Sequence, residues 1–70
     1  MAESVYKVIE IVGSSSESWE KAAAAAVKRA SKTIRDLRVA EVLQMDMALK
    51  DGKIEAYRVK MSVSFKFEGK

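Results

Sequence analysis

The chain contains no cysteine, no histidine and no proline among its 70 residues. Without cysteine a disulfide framework is impossible, and without cysteine or histidine a structural zinc site of the usual kind is excluded. The same absences exclude Ser-His-Asp and Cys-His nucleophilic catalysis. Because a core this small rarely offsets the conformational entropy lost on folding, we expect help from contacts with other copies of the chain or from an ion held by oxygen ligands.

Aromatic residues are also scarce, at 7% of the chain, and they do not interleave with a basic run. The 13 Lys and Arg exceed the 10 Asp and Glu only slightly, and the charges are interspersed. This pattern does not favour a nucleic-acid partner. No apolar run approaches the ~20 residues of a membrane span, and residues 1–13 lack the profile of a signal peptide. We therefore expect a soluble cytoplasmic protein with neither nucleic acid nor membrane as a partner.

The first half of the chain predicts a strand followed by a helix. Val5–Val12 is rich in β-branched residues and is followed by Gly13, which is typical of a strand. Ser14 and Glu17 have the spacing of a capping box, although any of the serines at 14–16 could be the N-cap. Apolar residues then recur at helical spacing, so we predict a helix that runs through Asp36.

The second half predicts a β-hairpin. Arg38–Leu49 and Lys53–Phe67 read as two long strands, and Asp51-Gly52 between them is typical of a two-residue type I′ turn. The whole chain, residues 1–70, is therefore predicted to be one α+β domain with the order β-α-β-β. With that turn, the expected pairs of facing residues are Leu49–Ile54, Met47–Ala56, Met45–Arg58, Leu43–Lys60 and Val39–Ser64.

This register assigns side chains to the two faces of the hairpin. The helix-facing side is predicted to carry Tyr57, Val59, Met61, Val63, Phe65 and Phe67, with Ala40, Val42, Gln44 and Asp46. The opposite side is predicted to carry Arg58, Lys60 and Ser62, with Val39, Glu41, Leu43, Met45 and Met47. A slip of one residue would reverse the faces of the first hairpin strand.

The predicted hairpin is too long for its helix. A strand of ~15 residues spans about 50 Å, whereas a helix of ~20 residues spans about 30 Å. The opposite side of the hairpin is also too apolar for a solvated surface. Both features indicate burial against copies of the same chain, so we expect an obligate homo-oligomer.

In this order of elements the chain resembles the dodecins, a family of short β-α-β-β proteins in which a three-stranded antiparallel sheet wraps around one helix. The resemblance covers nearly the whole chain and rests on the segment Tyr6–Ser15, the alanine-rich helix, Ala40-Glu41-Val42 and Val63–Phe67. It implies a hollow homododecamer built from trimers, which agrees with the expectation of self-association.

Most dodecins bind flavins such as riboflavin or FMN between tryptophan side chains, with a glutamine hydrogen-bonded to the ring. The resemblance places Val39 at the tryptophan position and Arg58 at the glutamine position. Valine offers no π-face for stacking, and arginine adds a charge and has no acceptor for the ring N–H. The chain therefore departs from the flavin pattern at both cofactor-binding positions, and we expect flavin binding to be lost.

The chain is most similar to the branch known as calcium dodecins, through Ser4–Ile9, Ser18-Trp19-Glu20, Arg38-Val39-Ala40 and Asp46-Met47-Ala48. That resemblance implies Ca²⁺ in place of flavin. Calcium takes six to eight oxygen ligands, commonly with two or more carboxylates, and no EF-hand loop is present here. A calcium site would therefore have to form from Asp or Glu residues of several subunits.

Asp46 is the first candidate metal ligand, because it is a carboxylate in an otherwise apolar strand. The alternative, which we favour, is that it lies beyond the helix, hydrated or paired with a neighbouring lysine. Glu41 is the second candidate, and its alternative role is an ion pair between strands with Arg58 or Lys60. Those two cations could instead bind a phosphate-bearing ligand such as a nucleotide or coenzyme A.

These observations predict a non-enzymatic binding or sequestering protein that forms a hollow homododecamer and binds calcium, not flavin. The alternative is a flavin-storing dodecin with a rebuilt pocket. We do not expect an enzyme, because no acidic and basic residues converge at a spacing that would support acid–base catalysis.

Overall fold

The computed structural model describes residues 3–66 of the chain. Strand β1 covers Tyr6–Ser15, helix α1 covers Trp19–Ala30, and strands β2 and β3 cover Leu37–Lys50 and Lys53–Lys66. The predicted order β-α-β-β is confirmed. Both hairpin strands have nearly the predicted bounds, but Phe67, which was expected to end β3, lies outside the described residues.

The helix is shorter than the sequence predicts. Its N-cap is Ser18, whose side chain accepts a hydrogen bond from the backbone N–H of Lys21, and Ser14 instead lies within β1. At the other end, Ser31 donates its hydroxyl to the carbonyl of Lys28 and Thr33 donates to that of Ala30. Such hydroxyl–carbonyl bonds compete with the helical pattern. The predicted end of the helix at Asp36 is therefore wrong, because α1 ends about two turns earlier, at Ala30.

The three strands form one antiparallel sheet with β3 in the centre, in the order β1-β3-β2. Asp51 and Gly52 join β2 to β3, with positive φ angles of 53° and 77°. Positive φ at both central residues is what a type I′ turn requires, so the predicted turn is confirmed.

The core lies between α1 and one face of the sheet. Ala22 is fully buried, and Val59, Met61 and Val63 are each only 1% exposed. These three alternate residues of β3 point towards α1, as the sequence pattern predicts. The alanine-rich helix comes so close to β1 at Gly13 that a Cβ there would lie 2.9 Å from the Cβ of Ala26. The small residues of α1 therefore permit tight helix–sheet packing.

The hairpin extends well past the helix. The molecule measures 54 × 20 × 14 Å, whereas a helix of 12 residues is about 18 Å long. Large apolar side chains remain exposed along the uncovered part, namely Val42, Met45, Met47, Leu49 and Ile54. The predicted mismatch between hairpin and helix is confirmed. Within residues 3–66, no helix has the length and apolar character needed to span a membrane.

Candidate functional site

The sheet has a face directed away from α1, which we call the outer face. Residues paired across an antiparallel sheet share one face, so the outer face follows from the partners of Arg58, Lys60, Ser62 and Ser64, the residues of β3 that alternate with the buried core. It comprises these four with Val8, Glu10, Val12 and Ser14 of β1 and Val39, Glu41, Gln44 and Asp46 of β2.

The middle of the hairpin has a different register from the predicted one. Leu49 faces Ile54 and Val39 faces Ser64, as expected, but Glu55 and Leu43 are extra residues in irregularities of β3 and β2. Between them the pairing is shifted by one residue, so the predicted pairs Met47–Ala56, Met45–Arg58 and Leu43–Lys60 are wrong. The observed partners are Met47 with Tyr57, Met45 with Val59, Asp46 with Arg58, and Gln44 with Lys60.

This shift exchanges the faces of four side chains. Met45 and Met47, expected on the outer face, lie instead on the side of α1, opposite Val59 and Tyr57. Gln44 and Asp46, expected under the helix, lie on the outer face. The shift therefore places Asp46, the first candidate metal ligand, beside the other polar groups of the sheet.

Asp46 and Arg58 form a two-point ion pair on the outer face. The Nε of Arg58 donates to Oδ1 of Asp46 over 2.7 Å, and its Nη2 donates to Oδ2 over 2.9 Å. Both side chains remain partly exposed, at 38% for Asp46 and 51% for Arg58. Asp46 is thus paired, as the alternative interpretation held, although with an arginine and not a lysine.

The hydrogen bonds from Arg58 lower the pKa of the Asp46 carboxyl below its ordinary value; desolvation opposes this shift, and the positive charge of Arg58 adds to it. The same pair raises the pKa of Arg58. A lowered pKa means that the carboxylate is stabilised in the folded protein, and this contribution is lost only as the pH falls through that lowered value. Asp46 is therefore ionised throughout the neutral and mildly acidic range.

A cavity of about 260 Å³ opens beside this ion pair, lined by Val12, Gln44, Asp46, Arg58 and Lys60. Lys60 reaches towards the other edge of the sheet, where its Nζ lies 3.6 Å from Oε1 of Glu10. The cavity therefore combines two cations, a carboxylate and a neutral amide, each of which points away from the helix.

Glu41 lies next to Ser62, with Glu10 on the other side of the same serine. Within residues 3–66 Glu41 makes no ion pair, so the expected pairing with Arg58 or Lys60 is not observed. Sequence reasoning did not identify Glu10 as a residue of the outer face. Its position between the helix-facing Ile9 and Ile11 could have revealed that face, because side chains alternate along a strand.

The acidic side chains of one chain do not converge enough to hold a metal ion by themselves. Among the described residues, no three Asp or Glu side chains are grouped closely enough to share an ion. Asp46 and Glu41 thus share a face without forming a common site in one chain.

Val39 and Arg58 also lie on the outer face, as predicted, but not side by side. Val39 pairs with Ser64, six positions from Arg58 on the same strand, which corresponds to about 20 Å along a strand. A pocket that includes both positions would need residues from two chains.

Trp19 links the start of the helix to the strand that carries Asp46. Its indole Nε1 donates to the backbone carbonyl of Asp46 over 3.0 Å, and its ring meets Tyr57 edge to face, with centroids 5.1 Å apart. The aromatic residue is therefore a packing element on the helix side of the sheet, and it places an indole close to the candidate ligand.

Comparison with known proteins gives consistent matches. The family model described as Dodecin matches residues 5–68. A protein from Mycobacterium tuberculosis described as calcium dodecin is 54% identical over 63 residues, which cover 90% of this chain and 89% of that protein.

Solved structures agree with these matches. A dodecin from Streptomyces coelicolor matches with a TM-score of 0.93, 34% identity and full coverage of both chains. The crystal structure of a calcium-chelating antigen from M. tuberculosis, calcium dodecin, has a TM-score of 0.83 with 52% identity over 93% of each chain. That structure is described as having a novel calcium-binding site.

Proposed function

The chain belongs to the dodecin family, and we propose that within it this protein is a non-enzymatic calcium-binding member that acts as an assembly of identical chains. The observation that carries the proposal is the set of oxygen-bearing side chains on the outer face, namely Glu10, Glu41, Gln44, Asp46, Ser62 and Ser64. Carboxylate, amide and hydroxyl oxygens are the ligands that Ca²⁺ prefers. The relative named calcium dodecin, at 54% identity, supports the same ion.

The calcium site in this proposal is formed by several copies of the chain. One chain brings no group of three acidic side chains together within residues 3–66, whereas calcium takes about six to eight oxygens. Symmetry copies of Asp46 or Glu41 around an axis would supply repeated carboxylates from one position of the sequence. Asp46 is the first choice and Glu41 the second.

Self-assembly is supported by the surface that the helix leaves uncovered. Val42, Met45, Leu49 and Ile54 are each about half exposed or more in a single chain, and a cavity of about 240 Å³ next to Trp19 is lined by Val42, Met45 and Val59. A contiguous apolar surface on a small protein is typical of an interface. We propose the homododecamer of trimers that the family resemblance implies.

Flavin storage is the alternative function, and the outer face gives reasons against it. Position 39 holds an exposed valine, which offers no aromatic ring for stacking. At position 58, the arginine is already engaged by Asp46 through two hydrogen bonds. An ultraviolet–visible spectrum and elemental analysis of one gel-filtered sample, without added ligand, distinguish the two functions. We expect a colourless protein with bound calcium, and a yellow one would favour flavin storage.

Substituting Asp46 by asparagine tests the calcium proposal directly. Asp46→Asn preserves the size of the side chain but removes a charge from every copy, so we expect calcium affinity to fall by about tenfold or more. Equilibrium dialysis with ⁴⁵Ca²⁺ measures the change. The matched control is Asp51→Asn, because it removes the same charge at the hairpin turn, where asparagine also tolerates the positive φ.

Equal calcium binding by Asp46→Asn and Asp51→Asn would contradict the role of Asp46. In that case Glu41→Gln becomes the decisive variant, since Glu41 is the second candidate on the same face. A protein that binds no calcium at millimolar concentration in any form would overturn the proposed function itself.

A further inference from the structure

The end of α1 and the turn after it carry a concentration of positive charge. Residues 28–35 contain four cations, Lys28, Arg29, Lys32 and Arg35, and no acidic residue. We call these four residues the basic cluster. The rest of the chain has nine Lys and Arg against ten Asp and Glu, a net charge of −1. The net charge of +3 of the whole chain therefore comes entirely from the basic cluster.

The backbone keeps the residues of the basic cluster close together. Although α1 ends at Ala30, the N–H groups of later residues still donate to carbonyls of its last turn, that of Lys32 to Arg29 over 3.2 Å and that of Ile34 to Ala30 over 2.9 Å. Residues three or four apart on such a winding are neighbours, with Cβ atoms about 5–6 Å apart. Lys32 therefore lies beside the cations of the last helical turn, and Arg35 follows it after three residues.

The basic cluster has no acidic partner in the part of the chain that the structure describes. All four side chains are exposed, and the salt bridges between residues 3 and 66 are made by other cations. The negative end of a helix dipole corresponds to only about half an elementary charge, so it offsets a small part of the four positive charges. Like charges at this spacing repel each other. The surface is therefore suited to a ligand that brings several negative charges.

The neutral side chains of the same segment favour recognition by charge alone. The hydroxyls of Ser31 and Thr33 donate to the carbonyls of Lys28 and Ala30. Residues 28–35 include no aromatic side chain on which a base could stack. No large apolar side chain of this segment is exposed, whereas helices that lie on a membrane insert such side chains. A polyanion without bases and without an apolar phase fits this surface best.

We propose that the basic cluster binds a linear polyphosphate, which presents repeated phosphates and no bases. Phosphate oxygens accept charge-assisted hydrogen bonds from both lysine and arginine. In an assembly of identical chains several copies of the cluster contact one polymer, which raises the overall affinity. The inference goes beyond the proposed function, because it concerns a surface on α1, on the opposite side of the sheet from the outer face, and does not involve calcium.

Removing two charges from the basic cluster tests the proposal in the full chain in its assembled form. The variant is Lys28→Gln with Lys32→Gln, and the probe is end-labelled inorganic polyphosphate, followed by fluorescence anisotropy with EDTA present to remove calcium. We expect the affinity at low salt to fall by about tenfold or more. The plot of log affinity against log salt concentration should become shallower by about one unit for each lysine.

The matched control is Lys50→Gln with Lys53→Gln. It removes the same charge from two exposed lysines that face each other beside the hairpin turn, so the affinity for polyphosphate should change by less than about twofold. If gel filtration shows that the variant of the basic cluster does not assemble, Arg35→Gln lies outside α1 and tests the same surface. That single change should lower the affinity by about threefold and the salt slope by about one unit.

Equal losses of affinity in the two double variants would overturn the inference, because they would reflect only the net charge of the protein. Duplex DNA or anionic vesicles that bind as tightly as polyphosphate, at the same concentration of phosphate, would contradict the choice of partner. Absence of polyphosphate binding by the unmodified protein at low salt would reject the inference outright. Because EDTA is present throughout, the result does not depend on whether the protein binds calcium.

Discussion

Replacing Gly13 by alanine should remove a large part of the protein's stability. The new Cβ would collide with the backbone carbonyl oxygen of Ala22 and lie 2.9 Å from the Cβ of Ala26. Ala22 is fully buried between α1 and the sheet, so the helix would have to move outward to make room. We expect a loss of about 3 kcal/mol or more in the free energy of unfolding. A domain of this length has only about 4–10 kcal/mol in total.

Gly52→Ala is the matched control for this substitution. It adds the same methyl group at a position where nothing lies within 4 Å, although φ is +77°. The expected cost is only the left-handed backbone conformation, about 1–2 kcal/mol. Urea unfolding followed by Trp19 fluorescence compares the two variants. A midpoint for Gly13→Ala equal to that of the unmodified protein would show that α1 is not held against β1 in the described way.

The double variant Val39→Trp with Arg58→Gln should acquire flavin affinity. It restores an aromatic surface at one of the family's two flavin positions and a hydrogen-bonding amide at the other. Stacking together with one new hydrogen bond corresponds to a gain of about 100-fold or more over the unmodified protein. Quenching of riboflavin fluorescence during titration with protein measures it. Each single variant should recover only part of the gain and provides the control.

Asp46 complicates this design, because Arg58→Gln leaves its carboxylate without a partner. A free carboxylate beside position 58 repels the phosphate of FMN but not uncharged riboflavin. We therefore expect the double variant to prefer riboflavin, and the added change Asp46→Asn to reduce that preference. If neither the double variant nor the triple variant binds either flavin, positions 39 and 58 of neighbouring chains do not meet in the assembly.

Several features of the fold could be predicted from local chemistry alone. Asp51-Gly52 specifies its turn because both residues tolerate positive φ, and the alternation of Val59, Met61 and Val63 identifies the buried face of β3. The alanines of α1 predict a close approach to the sheet, which Gly13 makes possible. In each case a few neighbouring residues suffice to determine the outcome.

The features that sequence reasoning missed depend on competition between alternative hydrogen bonds and alternative strand pairings. Whether α1 ends at Ala30 or continues depends on the hydroxyls of Ser31 and Thr33, which can bond to helix carbonyls. The register between Gln44 and Ala48 depends on irregularities at Leu43 and Glu55. Neither residue is a glycine, which often marks a bulge in a strand. The face of Asp46 therefore could not be derived from a uniform hairpin.

The candidate site is predictable to a smaller degree than the fold. Asp46, Glu41, Val39 and Arg58 were all identified as positions of interest from the sequence, and all four lie on the outer face. The two-point ion pair between Asp46 and Arg58 was not expected, because the predicted register placed these residues on opposite faces of the sheet.

Two of the extra residues in the hairpin, Leu43 and Glu55, shift the strand pairing by one residue in opposite directions. Leu43 adds one residue to β2 and Glu55 adds one to β3, so the shift in pairing opens at one and closes at the other. Evolution can lose both residues together and keep every strand partner outside the segment, whereas loss of one alone leaves the hairpin out of phase. Changes of length in this part of the chain are therefore expected in compensating pairs.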